Sequence, residues 1–121
     1  DNVVKEVALF FSQQLEKLAK AGASDIILDP GFGFGKSLEH NYQLFNKINY
    51  YKQIFDAPLL VGVSRKSMIY KALDLSPTAA LNGTTVLHTL AVGQGANILR
   101  VHDVREAVEV CKILKLGQNY M

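Results

Sequence analysis

Apolar positions recur along the chain at two alternating periods. Over residues 3–20, Val4, Val7, Phe11, Leu15 and Leu18 share one stripe, with Lys5, Glu6, Gln13, Glu16 and Lys17 largely opposite. That spacing predicts an amphipathic helix, and Gly22 is placed to stop it. Ile26-Ile27-Leu28 is a short unbroken apolar run, the pattern of a strand covered on both faces. A second helix is predicted over 38–54, with Leu38, Tyr42, Phe45, Ile48 and Tyr51 inward. Residues 58–63 read as a second buried strand, and Ser64-Arg65-Lys66-Ser67 opens a short helix carrying Met68, Ile69 and Leu73. Ser76 and Pro77 suit the cap and first position of a helix running to about Val92. Ile98-Leu99-Arg100-Val101-His102 is the third strand. A last helix over 104–116 has Val104, Ala107, Val108, Cys111 and Leu114 on its seam, and the tail from Gly117 is expected to fray.

Strands that alternate with helices build a parallel sheet through crossovers. Three strands are too few for a closed barrel, which takes eight strands and roughly 250 residues. The expectation is therefore an α/β chain, residues 1–121 forming part of a (β/α)8 barrel. Composition is that of one globular unit: 49% hydrophobic, 20% charged, net charge +2. So small a charge does not argue for a nucleic-acid partner, and no apolar window reaches the roughly eighteen residues of a membrane span. The chain begins at Asp1 and shows no signal-peptide pattern, while its one cysteine, Cys111, suits a reduced cytoplasmic protein.

Candidate chemistry clusters at the C-terminal ends of the three strands, where parallel α/β proteins bind ligands. Asp29 opens a Gly-rich turn through Lys36 and Ser37 that fits neither common phosphate-loop pattern: Pro30 and Lys36 occupy required glycine positions. What remains is a carboxylate beside a backbone that a ligand can approach, with Phe32 and Phe34 as walls for a flat ring. The alternative is a tight turn with Asp29 satisfied by nearby N–H groups. Ser64-Arg65-Lys66-Ser67 sets two cations between two hydroxyls at a helix start, where an anion is welcome. Otherwise Ser64 or Ser67 is a helix cap and the cations face solvent. Arg100 and His102 share one strand face, and an arginine there is costly unless it is paired, with Asp29 for example, or binds an anion. His40 is expected to be exposed, His88 to be a hydrogen-bonded helix residue, and Cys111 to be core. Asn82-Gly83-Thr84-Thr85 suggests close packing against a strand. The histidines and cysteine lack metal-ligand spacing.

At these three motifs the sequence resembles dihydropteroate synthase. Residues 29–36, 61–67 and 98–104 are similar to the family's sixth-, seventh- and eighth-strand motifs, in order and at family-like spacing. The resemblance implies the last three strands of a (β/α)8 barrel. It further implies condensation of 6-hydroxymethyl-7,8-dihydropterin diphosphate with 4-aminobenzoate, giving 7,8-dihydropteroate and diphosphate. Asp29, Gly33, Lys66 and Arg100 would bind the pterin, Arg100 and His102 the diphosphate, and Phe34 and Ser67 the aminobenzoate. Lys66, Arg100 and His102 would be catalytic. Mg²⁺ is implied with its ligand in the missing first half, so these residues alone are expected not to turn over. Ile27, Leu60 and Ile98 would face water in so partial a barrel, and a homo-oligomer is expected. Two alternatives stand beside this: the methyltetrahydrofolate-binding domain of a corrinoid methyltransferase, for which a diphosphate site would be superfluous, and a non-catalytic anion-binding or assembly module.

Overall fold

The structure is a computed structural model that describes residues 2–120. Helix α1, Val3–Lys20, opens at Asn2, whose side chain accepts from the Lys5 N–H. At its end Gly22 takes φ +87°, and the Gly22 and Ala23 N–H groups close onto Ala19 and Leu18 carbonyls, so the stop falls where the sequence places it. The expected helix over 38–54 is instead two, α2 (Leu38–Phe45) and α3 (Ile48–Ile54), parted at Asn46-Lys47. Its inner face is also rotated. Asn41, Leu44 and Phe45 are buried on α2, whereas Leu38 and Tyr42 are exposed. The cause is polar: the Asn41 amide is drawn inward to bond the Gly33 N–H and the Ser37 carbonyl.

Three parallel segments lie side by side. Strand β1 (Leu60–Val61) pairs with β2 (Ile98–Leu99) in the register Leu60↔Ile98 and Val61↔Leu99. On β1's other edge the expected strand 26–28 is reduced to one parallel bridge, Leu28↔Leu59. The two longer strands also shrink from their expected spans. Pairing stops where opposed backbone groups run out: Pro30 has no N–H, and a Lys66-to-Val63 turn bends the chain beyond β1. Alternation along the strands then sorts the side chains. Leu28, Leu59, Val61 and Val63 are buried beneath the helices. The opposite face carries Ile27 and Asp29, then Leu60, Gly62 and Ser64, then Ile98, Arg100 and His102.

Helix α4 is one turn, Ser67–Tyr70. The helix expected from Pro77 begins as a 3-10 turn, Pro77–Ala79, and continues as α5 (Leu81–Gly93). A Cβ at Gly83 would press on Ile69 and Leu73, so the small residues of α5 accommodate α4 and its following turn, not a strand. Helix α6 spans Val104–Gln118, past the expected fraying point at Gly117; Met121 lies outside the described residues. Its buried residues are Ala107 and Val110, while Val104, Val108 and Cys111 are exposed, which corrects the seam. The core gathers Phe11, Leu44, Ile48, Tyr51, Val61, Met68 and Ile69, with Phe11 edge-on to Tyr51 and Phe55.

Candidate active site

The open face of the three segments forms rows. Ile27, Leu60 and Ile98 make the first, Asp29, Gly62 and Arg100 the second, Ser64 and His102 the third. In the second row Arg100 Nη1 donates to Asp29 Oδ2 at 3.0 Å, across the middle strand. That crossing needs glycine at 62, where a Cβ would overlap the Arg100 guanidinium. Asp29 Oδ1 accepts from the Gly31 N–H at 2.9 Å. Both alternatives weighed for Asp29 and Arg100, the turn-satisfied carboxylate and the internal pair, are therefore present. The pair is half open to solvent, with Arg100's side chain 51% and Asp29's 35% exposed. An ion pair of that exposure contributes little, up to about 1 kcal/mol. Both partners can thus be drawn onto a ligand at small cost.

The Gly-rich loop is organised from two sides. Gly31, Gly33 and Gly35 all take positive φ. Gly33, at φ +93°, donates its N–H to buried Asn41 at 2.8 Å. Lys36 Nζ donates to the Gly31 carbonyl at 2.7 Å. Lys66 Nζ reaches over from the N-cap of α4 to the Phe32 carbonyl at 2.7 Å and lies 5.1 Å from the Phe34 ring centre. An ammonium has three donors, so a ligand can share it. Burial, reinforced by the positive charges of Arg100 and Lys36, lowers the Lys66 pKa against the opposing pull of Asp29.

The two phenylalanines part company. Phe34 is 73% exposed beside Lys66, whereas Phe32 is buried against Phe45 and walls no ligand. Ser64 caps no helix. Its hydroxyl accepts from the His102 N–H at 3.2 Å and meets His102 Nδ1 at 3.0 Å. If Ser64 donates its proton to Nδ1, Nε2–H is left to meet an anion. Ser67 is the first residue of α4, whose N-cap is Lys66 without a side-chain capping bond. That helix is a single turn, Ser67–Tyr70. Arg65 is not a free cation either: Asp103 binds it at 2.9 Å.

The structure thus brings Asp29, Gly33, Phe34, Lys66, Ser67, Arg100 and His102 to one end of the parallel segments. A cavity of about 600 Å³ reaches one of them, Asp29, between α1 and the loop residues Gly31 and Lys36. His40 lines it half-buried, not exposed. His88 is buried, and its Nε2 has no hydrogen-bond partner among the described residues, contrary to expectation. Sequence reasoning missed Gly62 and Asn41. A glycine inside an apolar strand was the available signal for the first; nothing local marks the second.

Residues 1–102 match the family of pterin binding enzymes. Dihydropteroate synthase from Escherichia coli strain K12 is 44% identical over 117 residues, which cover 95% of this chain and 41% of that protein. The structure of the Yersinia pestis enzyme with a pterine-sulfa conjugate superposes with a TM-score of 0.94 at 41% identity, covering all of this chain and 48% of that one. The Coxiella burnetii enzyme in complex with pteroic acid gives 0.90 at 36% identity, over 98% of this chain and 45% of that one. The chain spans less than half the length of each of these relatives.

Proposed function

Because the chain belongs to the pterin-binding enzyme family, we propose that the full-length protein carrying it is a dihydropteroate synthase. It condenses 6-hydroxymethyl-7,8-dihydropterin diphosphate with 4-aminobenzoate, and residues 1–121 supply the last three strands of its (β/α)8 barrel. The observation that carries this reading is the row Asp29–Gly62–Arg100, with Lys66 and His102 beside it.

A carboxylate has about four acceptor sites, of which Gly31 and Arg100 use two. The remaining sites suit the amino and ring N–H edge of a pterin. Lys66 donates to the pterin carbonyl and ring nitrogen, and Phe34 with Ser67 borders the aminobenzoate. Arg100 leaves Asp29 to lie against the pterin and its diphosphate, and His102 Nε2 donates to the departing anion. The bond from the pterin's CH₂ to the diphosphate oxygen breaks, the aminobenzoate nitrogen bonds that carbon, and its proton is lost to solvent. The protein's part is positioning and charge neutralisation; no covalent nucleophile is required.

Among the described residues no three His, Cys, Asp or Glu side chains gather to hold a metal ion. We expect the ligand of the Mg²⁺ that the family resemblance implies elsewhere in the full-length protein, and no step here runs through that ion. We place the protein in the cytoplasm and expect it to be a homo-oligomer.

The test is formation of 7,8-dihydropteroate by the full-length protein. Lys66→Ala and Arg100→Ala should each lower kcat/KM by about a hundredfold, of the order that one lost electrostatic donor costs. Turnover unchanged in both variants would sink the assignment of the site. Residues 1–121 alone should release no diphosphate; release near the full-length rate would contradict their being a partial barrel.

A further inference from the structure

Arg65 stands between two site residues, Ser64 and Lys66, and Asp103 directly follows a third, His102. The Arg65 side chain forks onto Asp103, with Nε to Oδ2 at 2.9 Å and Nη2 to Oδ1 at 3.1 Å. Its Nη1 donates to the Pro77 and Thr78 carbonyls at 3.1 and 3.0 Å. Four of its five N–H donors are thereby spent on the protein, leaving little for a substrate. The backbone is held as firmly. Arg65 takes φ +53°, a conformation that non-glycine residues rarely adopt, and donates its N–H to buried Thr84 at 3.0 Å.

We infer that the Arg65–Asp103 fork is a positioning clamp for the condensation. It fixes the loop that presents Lys66 against the start of α6, and so sets Lys66 and His102 in register with each other. This inference rests on the synthase reading above. A bidentate guanidinium–carboxylate contact suits the task because it restricts rotation as well as distance. The Arg65 hydrogen bond holds the Asp103 carboxyl below the usual carboxylate range, so the fork is charged at neutral pH.

A clamp on orientation acts on kcat more than on KM. In the full-length protein, kcat and KM for both substrates and the melting temperature are measured for Arg65→Gly, Arg65→Lys, Asp103→Asn and the Arg65→Gly/Asp103→Asn pair. Glycine accepts the positive φ, so Arg65→Gly removes the fork without adding backbone strain. Arg65→Gly and Asp103→Asn should each lower kcat tenfold or more, with either KM moved less than threefold. The double variant should fall within twofold of the worse single one, because both act through one contact. Arg65→Lys, which keeps one donor to Asp103, should recover part of the kcat lost in Arg65→Gly. The clamp is overturned by kcat within twofold of wild type in both single variants, by multiplicative losses in the double variant, or by a raised KM at unchanged kcat. Wild-type protein that makes no dihydropteroate overturns the synthase reading, and this inference with it, before any variant is compared.

Discussion

Gly62 decides whether Asp29 and Arg100 can meet, since any Cβ at this position collides with the guanidinium that crosses it. Gly62→Ala should therefore push the Arg100 guanidinium off its place over the middle strand, and so weaken binding of the diphosphate that this guanidinium meets about tenfold, or about 1.4 kcal/mol. Calorimetry reads this directly; unchanged affinity would show that Arg100 does not need the crossing. The phenylalanines offer a contrast at the same scale. Phe32→Ala should cost about 3–5 kcal/mol of stability because Phe32 is core, and Phe34→Ala less than about 0.5 kcal/mol because it is exposed. Denaturant unfolding of both variants checks this, and equal losses would contradict it. An arginine at the end of an apolar run called for a partner, and Asp29 is that partner, though the pair is half open to solvent. Phe32 and Phe34 were not separable, because two aromatics two residues apart in a loop carry no period that says which one turns inward.

Helix α1 was legible from its stripe because it buries that side against neighbours in this same chain, whereas the seam expected on α6 was misplaced. The rotated inner face of α2 was not legible, because Asn41 is pulled inward by loop groups that the helical period does not encode. Strand lengths were overestimated for a related reason: apolar runs report burial, whereas a ladder also needs an opposed backbone. Within α5, burial lowers the pKa of His88, whose environment also includes Asp103. An unfolded histidine titrates near 6.5, so below that pH the unfolded chain binds a proton the folded one resists. Stability should then fall as pH drops from about 6.5 towards the depressed folded value, and level off below it. Denaturant unfolding between pH 7.5 and 5 should show this slope in wild type and a flatter one in His88→Leu. Parallel slopes would mean that His88 does not carry the effect.

At the scale of the whole molecule, one face is apolar and open. Ile27 is 54% exposed on the first row of the parallel segments, and Leu60 and Ile98 are half-buried beside it; on a separate surface, α6 exposes Val104 and Val108 next to Leu99 and Val101. Surface of this kind drives association. Residues 1–121 alone should sediment as an oligomer at micromolar concentration, and a monodisperse monomer would contradict the expectation. The helix–strand alternation was legible because it depends on period alone. The partners of that open face were not, since no pattern within a chain describes what packs against it from outside. What joins these scales is the claim that the ends of three parallel segments make a pterin half-site. Titration calorimetry of the full-length protein with the pterin diphosphate, beside Asp29→Ala, tests it most directly. Saturable one-to-one binding, weakened at least a hundredfold in the variant, is the predicted result; equal affinity in the two proteins would contradict the account.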